Sequence, residues 1–188
     1  MAYNIILGTK SGGDIVNLST AKAHSKISWS DEDGLLAVYL EAAQADAENY
    51  VDGPIRQRSI EIRFSEWMTI YTLLTTNVIS VSAVKYLDPQ GAEQTLQADD
   101  YSLLNTPSGH KLQMNLEDFP DLLDTDQDPF PVRLELEAGW PDAEIPGSIQ
   151  AAVLLRFSHL YQFREDMPTS VDRSFQALLR PFKRYWYG

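Results

Sequence analysis

The hydrophobic period of this chain changes twice, and those two changes limit the folds open to it. Leu36, Tyr39, Leu40, Ala43, Ala47 and Tyr50 recur at spacings of three and four, which is one face of a long helix. Past Asp52-Gly53-Pro54 the period drops to two: Ile60, Ile62 and Phe64 alternate with Glu61 and Arg63, the pattern of a half-buried strand. After Pro146 the helical spacing returns in Ile149, Val153, Phe157, Leu160 and Tyr161, with Ala152 and Leu155 widening the face. This order predicts an α+β fold. The N- and C-terminal helices should pack together as a helical core, with an antiparallel β-rich region inserted between them.

Local signals place the element ends. Ser19 and Ser30 are candidate caps for a short and a long helix, each able to accept from a first-turn amide for about 1 kcal/mol. Asp31, Glu32 and Asp33 add negative charge at the positive end of the second helix. Gly53 suits the left-handed cap and Pro54 cannot continue the helix. Thr69 to Thr76 and Val78 to Leu87 are rich in β-branched and aromatic residues. Asp88-Pro-Gln-Gly91 signals a turn, with Ala92 to Leu96 as the returning strand. Tyr101 to Asn105 and Lys111 to Leu116 flank Thr106-Pro-Ser-Gly109 as a second hairpin, and Val132 to Ala138 is the last strand. Near the end, Met167-Pro168 breaks the helix, Ser170 caps another bearing Val171, Phe175, Leu178 and Leu179, and Pro181 ends it. The expected division is a flexible N-terminal arm over 1–17, a helical core from 18–53 and 145–188, and a β-rich insert over 54–144.

Composition narrows the function classes. The 188 residues include no cysteine, so there is no disulfide framework, thiol nucleophile or thiolate metal site. No apolar run approaches the roughly 20 residues that span a bilayer. Met-Ala-Tyr-Asn-Ile-Ile-Leu lacks the basic start and apolar length of a secretory signal. The net charge of -12 is unevenly spread. From Asp88 to Glu144, fourteen acidic residues oppose only Lys111 and Arg133, whereas from Arg156 onward six bases oppose three acids. A body so acidic repels nucleic acid except at its basic tail.

Few residues carry the spacing of a catalytic or metal site. Asp124, Asp126 and Asp128, with Glu135 at position twelve, imitate a calcium loop, but Pro129 stands where such loops need a flexible glycine. These four are the metal candidates, against the simpler reading of a solvated acidic loop. Gly8-Thr-Lys-Ser-Gly-Gly13 begins like a phosphate loop and then runs into Asp14 instead of Lys-Ser/Thr. His24, His110 and His159 are far apart, no Gly-x-Ser-x-Gly elbow is present, and the carboxylate pairs Asp99/Asp100 and Glu135/Glu137 are expected by chance among 27 acids. Neither enzyme activity nor a cofactor is expected. The C-terminal Arg180, Phe182, Lys183, Arg184, Tyr185, Trp186 and Tyr187 concentrate bases and aromatics, the residue types enriched in interface hot spots. They are the candidate partner-binding residues, since three consecutive aromatics cannot all face one core.

The run Leu18-Ser-Thr-Ala-Lys-Ala-His24, followed by Asp31-Glu-Asp-Gly-Leu-Leu36, Glu41-Ala-Ala43 and Glu48-Asn-Tyr50, resembles the opening of the head-tail connector (head-completion or adaptor) proteins of tailed bacteriophages. Val81 to Tyr86, Asp88 to Gly91, Glu93-Gln-Thr-Leu96 and Asp100-Tyr101 are similar to the middle of that family's longer members. Glu137-Ala-Gly-Trp140, Ile145-Pro146, Ala151-Ala152, His159 through Tyr161 to Arg164, and Ala177-Leu-Leu179 match its last third. Ser25 departs from the family, where a Leu is common, and should loosen the apolar face of the first helix. Leu116 to Phe130 has no counterpart. The resemblance implies a non-enzymatic virion protein, made in the host cytoplasm. It would form a homo-oligomeric ring beneath the portal protein, complete the DNA-filled head, and offer the tail-side neck protein a platform. Double-stranded DNA would pass through without specific binding, and no membrane is involved. Small residues (Ala42, Ala43, Ala47, Ala151 and Ala152) would allow close helix packing within or between copies. Two rivals stay open: a calcium-binding or hydrolytic domain using the acidic middle, and a tail-completion or other neck protein of a prophage.

Overall fold

Helices α1 (Leu18–His24), α2 (Asp33–Val51), α3 (Gly147–Gln162) and α4 (Asp172–Leu179) carry the 3.6-residue pattern, and strands occupy the stretch between α2 and α3. The structure is a computed structural model that describes residues 3–73, 75, 77–106, 109–163 and 172–183. The chain divides into two units, a β unit of residues 1–11 and 57–139 and a helical unit of residues 12–56 and 140–188. The fold class is α+β, with the N- and C-terminal helices sharing one core.

In the helical unit the buried face of α2 is Leu36, Leu40, Ala43, Ala47 and Val51. It meets Ile149, Ala152, Val153 and Phe157 of α3 and Phe175 and Leu179 of α4. Ala43, Ala47 and Ala152 are fully covered, so small side chains set the close approach inside one chain. Ala42 is exposed, and Ala151 half-buried. Polar clamps hold the helix pairs in register. Arg156 Nε donates to Asp46 Oδ2 at 2.6 Å, between α3 and α2. The hydroxyls of Ser25 and Ser158 lie 2.8 Å apart, between α1 and α3. Ser25 therefore ties α1 down where the sequence suggested loosening, because its hydroxyl finds a partner across the interface.

The helix ends follow the predicted positions but not the predicted residues. Asn17, not Ser19, caps α1: its side-chain oxygen accepts from the Thr20 amide at 2.8 Å and from the Ser19 hydroxyl at 2.7 Å. The two side chains compete for one role, and Asn is at least as good a cap as Ser. Ser30 serves α2 through its backbone carbonyl, which accepts from the Asp33 amide, and the helix starts two residues later than a Ser30 cap would place it. Asp33 stays in the first turn and pairs with Lys22 of α1. The break after α1 is a Schellman turn, in which Ile27 N–H reaches Lys22 O and Lys26 N–H reaches Ala23 O. Lys26 holds the left-handed position with φ 56°. At the end of α2 that position falls to Asp52 (φ 59°), one residue before the expected Gly53. The Ser170 cap, Met167-Pro168 and Val171 lie outside the described residues.

Arg56 fixes the place where the chain leaves this unit. Its side chain is almost entirely buried, with Nη1 2.7 Å from Glu41 Oε2 and Nη2 2.9 Å from Glu48 Oε2. Glu48 Oε1 also accepts from the Ile55 and Arg56 amides at 3.1 and 3.0 Å. Burial works against the guanidinium charge, but the hydrogen bonds to Glu48 and Glu41 outweigh it and hold the pKa above its ordinary value. Ile55 O accepts from the Trp140 amide at 2.9 Å, so the outgoing and returning chain segments are paired side by side. Buried Gln44 does the same for the segment before α1, accepting from Ile15 N–H and donating to Asp14.

The β unit contains β1 (Tyr3–Lys10), β2 (Arg58–Phe64), β3 (Ile70–Thr72), β4 (Val78–Leu87), β5 (Glu93–Thr95), β6 (Tyr101–Thr106), β7 (Gly109–Met114) and β8 (Val132–Ala138). They form an antiparallel five-stranded sheet, β1-β2-β8-β4-β5, and a three-stranded sheet, β3-β7-β6. Ile60, Ile62 and Phe64 of β2 and Leu134 and Leu136 of β8 meet Tyr71, Leu112 and Met114 in one core. The Phe64 and Tyr71 rings sit 4.5 Å apart, and burial raises the Tyr71 pKa above the ordinary phenol value. Residues 3–10 of the expected flexible arm are a strand, paired with β2 from Tyr3↔Phe64 to Lys10↔Arg58. Ile5-Ile6-Leu7 does not alternate, so only the neighbouring strand reveals it. Gly91 (φ 81°) closes the Asp88 turn as predicted, its amide 2.8 Å from Asp88 O.

Two stability measurements follow. Glu48→Ala removes the main partner of a buried charge and the side-chain acceptor of two backbone amides, and should cost about 3–5 kcal/mol. A urea midpoint within experimental error of the parent would contradict that role. Lys26→Gly relieves a left-handed non-glycine and should raise stability by up to about 1 kcal/mol, read as a higher melting temperature.

Candidate assembly interface

The C-terminal segment is positioned by its apolar face. Phe175 and Leu179 are buried, and Phe175 meets the Tyr50 ring edge-on at 6.0 Å. The helical period then puts Arg173, Gln176, Ala177 and Arg180 on the opposite, exposed side. With Tyr50 and Lys183 they line an open cavity of about 390 Å³. Lys183 Nζ sits 4.6 Å from the centre of the Tyr50 ring, a cation–π contact.

The predicted tail residues divide in two. Phe182 packs edge-on against Trp140 at 6.0 Å, so it covers the helical core of its own chain. Arg180 and Lys183 face the cavity. Arg184, Tyr185, Trp186 and Tyr187 lie outside the described residues. Two apolar surfaces had no sequence signal of their own: Leu35 and Val38 on the outer face of α2, 39% and 62% exposed, and Ile6 and Leu7 on edge strand β1. Both become visible only when the partners of α2 and β1 are known.

The acidic candidates do not converge. Asp124 Oδ1 accepts from the Asp126 amide, and Asp128 accepts from the Phe130 amide and pairs with Arg133. Glu135 lies on β8 and pairs with Lys85 Nζ at 2.7 Å. That hydrogen bond is the main reason the Lys85 ammonium is held above its ordinary pKa. Among the described residues no group of three or more His, Cys, Asp or Glu is placed to hold a metal ion. Of the other carboxylate pairs, Asp100 caps a 3₁₀ turn by accepting from the Gln97 amide. The glycine-rich stretch is also occupied, because the Gly13 amide donates to both Asp142 carboxylate oxygens, at 2.9 and 3.2 Å. A Cβ on Gly13 would lie 2.8 Å from Asp142 Oδ2, which explains the glycine by packing. His24, His110 and His159 sit on α1, β7 and α3 respectively. No helix among the described residues is long and apolar enough to cross a membrane.

Comparison with solved structures finds the same fold in a chain of a structure described as the virion of a native gene transfer agent particle. The TM-score is 0.76 at 19% identity, covering 100% of this chain and 99% of that one. A chain from the neck of an empty particle of this kind, computed with C6 symmetry, gives 0.72 at 22% identity, covering 100% and 99%. One from the neck of the native particle, computed with C12 symmetry, gives 0.70 at 20% identity, covering 97% and 98%. No protein-family model matches the chain. No curated protein matches it either.

With Asp128 and Glu135 committed to Arg133 and Lys85, calorimetric titration with calcium should give no saturable heat. Tight binding that disappears in Asp126→Ala would overturn this placement.

Proposed function

We propose that this chain is a structural neck protein of a tailed-phage-like particle. In that reading it is a head-tail connector that forms a ring beneath the portal, completes the DNA-filled head and gives the tail its platform. The observation that carries the reading is the end-to-end fold likeness to chains of gene transfer agent structures, one a virion and two of them necks computed with C6 or C12 symmetry. It extends over the helical core, the β-rich region and the N-terminal strand together, so the whole architecture is shared.

The physical features fit a binding role. Among the carboxylates picked out as catalytic or metal candidates, Glu135 and Asp128 are spent on ion pairs and Asp100 and Asp124 on turns. Apolar side chains stand exposed on α2 and on an edge strand. A cyclic ring requires a heterologous contact, in which two different patches of each subunit meet. The chain offers several distinct surfaces of this kind. Its net charge of -12 limits attraction to DNA passing through the ring.

The test is the mass of the full chain under native conditions over a wide concentration range, with electron micrographs of the same samples. Closed rings of a fixed number of subunits are expected, and a monomer at every concentration would overturn the ring. Removing residues 184–188, which leaves Phe182 and Lys183 in place, should lower the assembled fraction. Unchanged assembly would remove the terminal aromatics from the interface.

A further inference from the structure

This chain has more acids than bases, and six of its thirteen described Lys and Arg residues are neutralised internally. Lys22, Arg56, Arg63, Lys85, Arg133 and Arg156 each form a salt bridge. The cavity beside α4 is where cations without such a partner cluster. It gathers Arg173, Arg180 and Lys183, and among the described residues no carboxylate pairs with any of the three. Arg173 lies on α4, which is pinned by Phe175 and Leu179, Arg180 follows directly in the next turn, and Lys183 is steadied on the Tyr50 ring. Three cations held apart around an open cavity repel one another, so an anionic occupant stabilises them.

The β unit holds the matching anomaly. Between β7 and β8, Glu117, Asp118, Asp121, Asp124 and Asp126 are exposed, and none forms a salt bridge among the described residues. Asp128, at the end of the same loop, is already paired with Arg133. The loop is firmly held from beneath. Phe119 stacks on Trp67 at 5.6 Å, Trp67 Nε1 donates to Pro120 O at 2.8 Å, and buried Leu123 donates its amide to Leu87 O at 2.9 Å. A loop already fixed in shape loses little freedom when it docks.

We propose that the cavity lined by Tyr50, Arg173, Gln176, Arg180 and Lys183 is a carboxylate socket that receives the acidic loop, residues 117–126, of a second copy of this chain. The inference rests on the ring reading above and names its contact. A heterologous interface needs two unlike patches on every subunit, and a basic socket with an acidic loop supplies them in complementary charge. Arginine forks suit carboxylates because two parallel N–H groups meet two oxygens. The pairing also offsets repulsion between copies of net charge -12, which at physiological ionic strength is screened beyond about 8 Å, so close contacts decide the outcome. A phosphodiester backbone is the poorer occupant. Duplex DNA carries a charge roughly every 1.7 Å, far more than three cations neutralise, and meets a chain of net charge -12.

Charge reversal tests this in the full chain. Arg173→Glu with Arg180→Glu sets acid against acid, and Asp121→Arg with Asp124→Arg sets base against base. All four positions are exposed, and circular dichroism melts confirm folding. Each pair should lower the ring fraction by about tenfold or more, and the four changes combined in one chain should restore it. Wild-type rings matched by both reversed variants would overturn the contact and leave the ring reading intact. A folded four-fold variant that fails to assemble would overturn the contact too. Wild type that never forms rings would overturn both. A duplex of about 20 base pairs bound by wild type and lost on the arginine reversal, with rings unaffected, would reassign the socket to phosphodiesters and overturn the proposal.

Discussion

The helical unit depends on a charge taken out of water. Arg56 is 3% exposed, and a guanidinium in that position is tolerable only because Glu41 and Glu48 reach it from positions about two turns apart on α2. Glu48 gives its second oxygen to the backbone amides of Ile55 and Arg56, so one carboxylate both neutralises the side chain and binds the segment that carries it. Trp140 then pairs its amide with Ile55 O. The outgoing and returning chain are thereby fixed to the same end of α2.

How much of this was legible in the sequence depends on whether a signal is local. The alternation in Arg58–Phe64 and Val132–Ala138 and the 3.6 spacing in α2 and α3 were readable because each segment buries one face and exposes the other. Caps were readable to within a residue or two, since Asn17 and Ser19, or Asp52 and Gly53, are near-equivalent candidates whose choice rests on small energies. Arg56 was invisible. Its role needs two acids eight and fifteen residues away, and nothing in its own neighbourhood marks it as buried. β1 was hidden for the same reason, because its strand character comes from pairing with β2, more than fifty residues on. Of the candidate site, Arg180 and Lys183 were picked out by composition. Arg173 and Tyr50, which complete the cavity, were not, because the fold of α4 against α2 brings them there.

The charge distribution looks different once the partners are known. A count of fourteen acids against two bases between Asp88 and Glu144 suggests a uniformly repulsive segment. On the sheet face, however, Arg133 joins Glu93 and Asp128, while Lys85 joins Glu93 and Glu135. Two cations thus serve two strand acids and one end of the loop. Five acids that form no salt bridge among the described residues fall together within residues 117–126, on a loop whose apolar residues Phe119, Leu122 and Leu123 belong to the core of the β unit.

That concentration bears on why such a segment would be kept acidic. Solubility alone does not require it, because acids spread over the surface serve equally well. Five unpaired acids close together raise the energy of the free chain through mutual repulsion, and anchoring them on Trp67 and Leu123 prevents the loop from relaxing that repulsion by moving. The same holds, with opposite sign, for Arg173, Arg180 and Lys183 around their cavity. Bringing the two clusters together removes both costs at once, whereas apolar surfaces such as Leu35 and Val38 gain area in almost any orientation. In a ring of copies the apolar rows would therefore supply adhesion, and the charged pair would select the one relative orientation that repeats.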